Sequence, residues 1–481
     1  MTNSLLTKTN ENLLFHTFDE TLKPQIEELL SLGKSAGADL VEIFLEKSDN
    51  ISLLAEQDDI SNVSPSFGIG AGIRVFLGKK DGFVSTNDLS KAGLLFALNQ
   101  ALGMLGLVTE SKNIDSFEGL FDLKDFGSNK NNWLNHSPDL DESTVKLLEA
   151  NKSLSKKNRN LQVRRASYSR SWQEVMVAAS DGVFARDIRL HQTVGINVIA
   201  QQDKNRSTSA RRYGSSGNPD DLRNWNIEKS ASELNESAQK MLYAGYVEAG
   251  QMPVVLANKF GGVIFHEACG HLLETTQLER GTSPFHESIN KQIAHKAVSA
   301  VDEGLSNYAF GSLSMDDEGM EPQNTVLIEN GILKKFLSDR AGFLRTGHPR
   351  TGSGRRQNFS FAAASRMRNT YIKQGDFTPE ELIRSVDNGL YCKSMGGGSV
   401  GPTGQFNFSV EEGYLIKNGK LDSPVKGATL IGEAKEILPR ISMCANDLDL
   451  AAGFCGSVSG SVNVTVGQPH IKVDSITVGG R

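Results

Sequence analysis

Apolar and polar positions recur along this chain with two different periods, and each change of period marks an element. From Leu22, PQIEELLSLGKSAG repeats its apolar residues at helical spacing, with Gly37 as the stop. DLVEIFLEKS and NISLLAEQDD, starting at Asp39 and Asn50, then read as β-like runs. The glycine-studded FGIGAGIRVFLGKKDGFVSTND carries a hairpin turn within Gly78–Gly82. Helical patterns return over 89–106 and 139–158, while 107–137 shows no period. Two more strands meet at Asp181-Gly182, a polar break covers 214–223, and a helix follows across 226–244.

Beyond a boundary at 245–250, PVVLAN reads as a short buried strand leading into a helix that carries FHEACGH, residues 265–271. After residue 320 the period is that of strands. NTVLIENGILKKFL turns at Asn330-Gly331, GYLIKNGKLD turns at Asn418-Gly419, and SVNVTV and IKVDSITV are strands near the C-terminus. The predicted fold class is α+β. A lead-in covers 1–20, an α/β domain of helices and antiparallel hairpins covers 21–245, and a mainly β catalytic domain carrying the His-Glu-x-x-x-His helix covers 246–481. The glycines of the first half fall in no Walker or Rossmann context and read as turns and bulges.

Composition narrows the function more than the fold. A chain of 481 residues exceeds one ordinary core and suits two or three domains. With a net charge of −6 and no long run of Lys or Arg, neither nucleic acid nor an anionic membrane is expected as a partner. No apolar run reaches the length that spans a bilayer, and the opening residues lack a signal-peptide pattern, so a cytoplasmic location is expected. Four cysteines are too sparse for a disulfide scaffold, which leaves each thiol as core or ligand.

The candidate chemistry sits in FHEACGH. His266 and His271 flank Glu267, as in a zinc protease helix, but they are five residues apart rather than four. At about 100° per residue, a spacing of five leaves two side chains roughly 140° apart on an α-helix. A π-bulge at Gly270 would bring His271 back to the face of His266. The competing reading has two histidines that only cap or pack, and it leaves Glu267 as a half-buried acid in need of a partner. A catalytic zinc takes three protein ligands plus water, and a carboxylate beside it serves as general base. For the third ligand, Cys455 in the glycine-flanked AGFCGSVSGS competes on equal terms with Glu274, Glu279 or a distant acid. Cys269 points to another side of the helix and reads as packing, and Cys392 and Cys444 lack a ligand context.

VIFHEACGHLLE, SMDDEGMEPQNTVLIENGIL, TGSGRRQNFS with RMRNTYI, and FCGSVSGSVNVTVGQP together resemble the TldD branch of the TldD/PmbA metalloprotease family. The resemblance runs through most of the chain and extends to the GIRVF strand of the first domain. It implies a zinc metallopeptidase with one Zn2+ per chain, held by His266, His271 and Cys455, with Glu267 as the general base. It also implies a peptide or unfolded-protein substrate, and a dimer enclosing a cavity, formed with a TldE/PmbA-like inactive paralogue or with itself. The family's association with DNA gyrase supplies the alternative, a non-catalytic zinc-containing binding protein acting on such a partner. Its zinc would be closed by a fourth protein ligand. A third reading is metal-assisted hydrolysis of a non-peptide amide.

Three further residues are candidates for substrate binding. Arg355 and Arg356 would clamp a peptide carboxylate, against a salt bridge to acids such as those of MDDEG. RMRNTYI, read as a strand, would take substrate along its edge, with Tyr371 at the tetrahedral intermediate, against plain packing. Asp316, Asp317 and Glu318 lack the spacing of a calcium loop and read as turn or interface acids. His286, His295, His348 and His470 read as surface residues.

Overall fold

The computed structural model describes residues 17–108, 117–127, 138–155, 161–218, 220–306, 308–401 and 404–480. Most of the lead-in expected over 1–20, much of the aperiodic stretch 107–137 and the end of the helix expected over 139–158 lie outside the described residues.

The first half is one sheet, antiparallel except for a two-residue strand at its edge, with helices on one face. The two β-like runs from Asp39 form a single strand, β1 (Leu40–Glu56), because Ser48, Asp49 and Asn50, turn formers by type, are held extended by strand pairing on both sides. It pairs with β2 (Asp59–Leu77) and β5 (Leu161–Ala179). The sheet continues through β3 (Lys80–Thr86) on one side and β6 (Phe184–Gln202) on the other, where β4 (Lys124–Asp125) and β7 (Asn205–Ser216) also pair. Odd positions of β1 and β2, among them Val41, Ile43, Leu45, Ile73 and Val75, meet the helices Lys23–Ser35 and Lys91–Gly103. Farther along the same face, Leu53 and Ala55 of β1 and Ala166 and Tyr168 of β5 meet the helices Leu140–Ser155 and Ile227–Leu242.

Side chains alternate across a strand, so the even positions of β1 and β2 point the other way, into the second half of the chain. Phe44 joins Val175, Val177 and Ala185 in a cluster closed by Met315. Around it lie charges removed from water. Glu42 pairs with Arg356 Nη2 at 2.7 Å, and Arg189 Nη1 pairs with Asp317 at 2.5 Å. Glu46 accepts from Phe359 N at 2.6 Å, and Arg74 donates to the Ala363 carbonyl at 2.8 Å. Gly70 is required here, since a Cβ would lie 2.3 Å from the Phe359 ring.

The second half opens with β8 (Gly245–Tyr246) and β9 (Gly250–Leu256). A six-stranded sheet combines β10 (Ala300–Glu303), β11 (Thr325–Glu329), β12 (Ile332–Leu333), β15 (Asn369–Ile372), β21 (Asp449–Ser457) and β22 (Gly460–Gln468). Its spatial order is β12-β11-β10-β15-β22-β21, and β13 (Gly354–Arg355) and β14 (Ala364–Ser365) make a separate pair. The other sheet sets β8 and β9 beside β16 (Asn388–Val400), β17 (Gln405–Lys417), β18 (Lys420–Lys426), β19 (Thr429–Glu433), β20 (Ile441–Cys444) and β23 (Ile471–Gly479). Both Asn-Gly turns form as the dipeptides require, with positive φ at Asn330, Gly331, Asn418 and Gly419. The largest apolar cluster contains Leu327, Ile328, Val254, Leu256 and Val473 together with Val263, Ile264, Phe265 and Ala268, so the FHEACGH segment is a core element.

Burial pushes the Glu46 carboxyl up from 4.5 to about 7, against the lowering effect of the Gln173 amide and the Phe359 N–H. The folded protein therefore holds a proton that the unfolded chain has lost, and this group costs stability as pH rises through that window. Glu46→Gln cannot titrate, so its stability relative to the parent is expected to rise by about 3 kcal/mol between about pH 5 and about pH 8. Urea unfolding at the two pH values checks this, and a pH-independent difference would refute it.

Candidate metal centre

The helix that carries the histidines is anchored before it begins. After β9, Asn258 donates to the carbonyl and the carboxylate of Asp447, and Lys259 adopts a left-handed φ of 58°. A 3-10 turn, Lys259–Gly262, runs directly into the helix Val263–Ala268. Gly262 lies so close to β22 that a Cβ would sit 2.6 Å from the Gly467 carbonyl. This contact presses the start of the helix against the strand that pairs with β21.

The spacing of five is accommodated by a break rather than by the expected π-bulge. The α-helix stops at Ala268, Cys269 takes φ −120° and ψ −50°, and Gly270–Leu273 continues as a 3-10 turn. A 3-10 turn needs fewer residues per revolution than an α-helix. That alone would carry His271 farther round; it is the break at Cys269 that redirects the chain, and the rings of His266 and His271 stand 5.2 Å apart between centroids at 82°. Cys269 faces the core, completely buried, and burial raises its thiol pKa.

Cys455 arrives from β21, where its register partner is Val462 of β22. The side-chain donor atoms of His266, His271 and Cys455 all lie within 4.8 Å of one another, and Cys455 Sγ is 3.2 Å from His271 Nε2. His266 and Cys455 are each 2% exposed. Burial opposes ionisation of the Cys455 thiol, but the imidazoles of His271 and His266 outweigh it and bring the thiol down to about 3. Burial likewise opposes charge on His271, whose pKa is nonetheless raised by the carboxylate of Glu274 and the Cys455 sulfur. Glu274 Oε2 is 3.0 Å from His271 Nδ1. Glu267 stands on the open side, with its side chain 30% exposed and Oε2 3.7 Å from His271 Nε2.

This set fits a thiophilic transition metal. Two imidazoles and a thiolate are the donor types that zinc prefers. His266 Nδ1 is buried and has no hydrogen-bond partner among the described residues, which costs free energy unless something outside the protein satisfies the ring. Glu274, an alternative third ligand, is engaged with the far nitrogen of His271 and does not belong to the cluster. Glu279 is paired with Arg345 at 2.6 Å.

The proposed substrate residues lie elsewhere. Arg356 is buried against Glu42 and the Asp317 carbonyl, the salt-bridge arrangement that competed with the clamp. Arg355 is buried as well, donates to the Met367 carbonyl at 2.7 Å, and is lowered to about 10 by burial. Asn369–Ile372 offers no free edge for a peptide, because β15 is paired with β10 on one side and with β22 on the other. Tyr371 is 9% exposed and its hydroxyl engages Glu303 after burial, which together raise its pKa. Asp316, Asp317 and Glu318 are buried, and Asp316 caps its own loop by accepting from Glu318 N and Met320 N. His470, expected at the surface, is buried between Asp447 at 2.7 Å and the Tyr391 hydroxyl at 3.0 Å.

Two residues around the site carried no mark in the sequence that would single them out as supports. Arg366 donates to the Cys455 carbonyl, to Ser459 Oγ at 2.9 Å and to the Gly460 carbonyl at 2.8 Å, so it ties down the turn next to the cysteine. Met367 N donates to Glu274 Oε1 at 3.2 Å.

Comparison with known proteins identifies the family. Residues 41–105 match the model of the PmbA/TldA metallopeptidase domain 1, residues 134–242 that of the central domain, and residues 249–480 that of the C-terminal domain. The chain is 32% identical over 487 residues to a metalloprotease TldD homolog of Buchnera aphidicola, covering 96% of both chains. To the metalloprotease TldD homolog of Haemophilus influenzae it is 33% identical over 464 residues, covering 92% of this chain and 93% of that one. Its fold is shared with the crystal structure of TldE from Thermococcus kodakarensis, at a TM-score of 0.73 and 20% identity over 95% of this chain and all of that one. The matches span nearly the full length and include the segments that bring His266, His271 and Cys455 together, and on that basis the chain belongs to the PmbA/TldA metallopeptidase family as a metalloprotease.

Proposed function

We propose that this metalloprotease uses one zinc ion per chain, held by His266, His271 and Cys455, to hydrolyse unfolded polypeptides or short peptides. The observation that carries the reading is the convergence of three donor atoms within 4.8 Å beside a partly exposed Glu267 carboxylate. When bound, the ion supplies Lewis acidity that makes a water acidic and polarises a carbonyl. Glu267 accepts the water's proton on its open carboxylate and returns it to the leaving amine. Three protein donors leave the coordination open, as catalysis requires. Among the described residues no fourth side chain joins them, which counts against the closed site of a non-catalytic zinc protein.

Substrate is held through its main chain. In place of β15, β21 offers the edge, since among the described strands it pairs only with β22 while carrying Cys455. Main-chain pairing reads little side-chain identity, in keeping with a peptidase for unfolded chains. The working particle is a dimer enclosing the site, formed with a TldE-like relative or with a second copy. The cytoplasm is its compartment: all four cysteines are free, and the site needs Cys455 reduced.

Glu267→Gln is expected to keep about one zinc per chain and to lose at least about 100-fold in hydrolysis of an unfolded polypeptide. Metal analysis and a cleavage assay on the same sample decide it, and retained cleavage would remove Glu267 from the reaction. Cys455→Ala is expected to lose stoichiometric zinc after dialysis against a weak chelator, whereas full zinc content would take Cys455 out of the ligand set.

A further inference from the structure

Glu274 is fully buried, and its partners are unusual for a buried carboxylate. No lysine or arginine pairs with it among the described residues; its one ion-pair contact is His271. Burying a carboxylate without compensation is costly, so both oxygens need donors. Oε2 takes His271 Nδ1 at 3.0 Å and Oε1 takes the Met367 N–H at 3.2 Å. Since Nδ1 is occupied, the nitrogen of His271 turned toward Cys455 is Nε2.

Met367 is not an arbitrary anchor. Its neighbour Arg366 grips the Cys455 carbonyl and the turn at Ser459 and Gly460, and its own carbonyl is held by Arg355. The dipeptide Arg366-Met367 therefore contacts both metal-bearing elements, the histidine segment through Glu274 and the cysteine hairpin through a guanidinium. Glu274 is the only link in this path that touches a proposed ligand side chain.

Building on the zinc reading above, we propose that Glu274 is a positioning residue that presets the metal site. It fixes the tautomer and angle of His271, and through Met367 it registers that imidazole against Cys455. A carboxylate in this place also raises the basicity of the ligand it holds, and loss of such a partner typically weakens metal affinity about 10- to 100-fold. Glu267 is distinct: it reaches toward the exposed side and takes no part in this tether.

Glu274→Gln separates this role from simple packing, because it keeps shape and volume. An amide nitrogen cannot accept a hydrogen bond. In either orientation the amide therefore leaves His271 Nδ1 or Met367 N without its acceptor. The full chain, wild type and variant, would be stripped of metal, and zinc affinity measured by chelator competition. The cobalt(II) forms would be compared by their ligand-field and thiolate charge-transfer absorption, and peptide hydrolysis by kcat and KM. The expected result is zinc affinity weaker by about 10- to 100-fold, a changed cobalt spectrum, and a fall in kcat with KM within about twofold. Parental affinity and spectrum would overturn the proposal, even with a lowered melting temperature. Should Glu274→Gln not fold, Glu274→Asp keeps the charge but is one methylene short of bridging both donors, and the same outcomes decide. If wild type itself binds neither zinc nor cobalt, the zinc reading fails and this inference falls with it. If wild type binds and the variant matches it, only the role of Glu274 is lost.

Discussion

Charges buried between the two halves of the chain must all be matched, and that constraint governs how the halves meet. Glu42 and Arg356, and Asp317 and Arg189, are all nearly inaccessible to water. Removing one member of such a pair typically costs about 3–5 kcal/mol, because the other is left uncompensated. A small slip of the first sheet over the catalytic half would break several contacts together, including the Arg74 bond to the Ala363 carbonyl and the Phe359 seat on Gly70. The same pairs fix the segment from 354 to 368. Arg356 answers to the first half, while Arg355 holds Met367, and Arg366 and Met367 hold the two ligand-bearing elements. Hydrogen bonds and short stretches of backbone thus connect the domain interface to the candidate metal centre.

The same framework brings together two histidines five residues apart, as the proposed metal site requires. A regular α-helix would set them on different faces. The chain instead leaves the helix at Cys269, where φ of −120° and ψ of −50° break the axis before the 3-10 turn begins. The 3-10 segment is followed at once by Glu274, already in extended conformation and joined to Leu337 by a parallel bridge. The irregular turn is thus clamped at both ends, by Gly262 on β22 and by Glu274 on the segment around Leu337 and Met367.

Local signals in the sequence were read correctly where the chain decides its own conformation. Asn330-Gly331 and Asn418-Gly419 form hairpins because left-handed backbone is inexpensive for those residues, and Ile227–Leu242 keeps its apolar stripe. That His266, His271 and Cys455 come together was legible as well, the histidines from their own motif and Cys455 mainly through the family resemblance. What stayed hidden depends on partners distant in sequence. Even positions of β1 such as Glu42 and Glu46 look like a solvent-facing strand edge, and only a second domain buries them. Arg355, Arg356 and Arg366 look like surface cations, yet each is spent on a carboxylate or carbonyl more than ten residues away. His470 sits in a polar stretch, but Asp447 and Tyr391 close over it from neighbouring strands. Where the spacing of the histidines calls for a π-bulge, the chain breaks at Cys269 instead, because the sequence states the spacing but not where the helix ends.

The two glutamates of the segment show how position alone divides labour between identical side chains. Glu267 and Glu274 both lie within 4 Å of a His271 ring nitrogen, one at Nε2 and the other at Nδ1. Glu267 keeps a partly exposed carboxylate, which the proposed general base needs. Glu274 has both oxygens filled and no access to solvent, so it can only hold. A carboxylate that both tethered a ligand and moved a proton would disturb the metal each time it changed charge. In the proposed reaction the two tasks fall to separate side chains on opposite sides of one imidazole, which avoids that conflict.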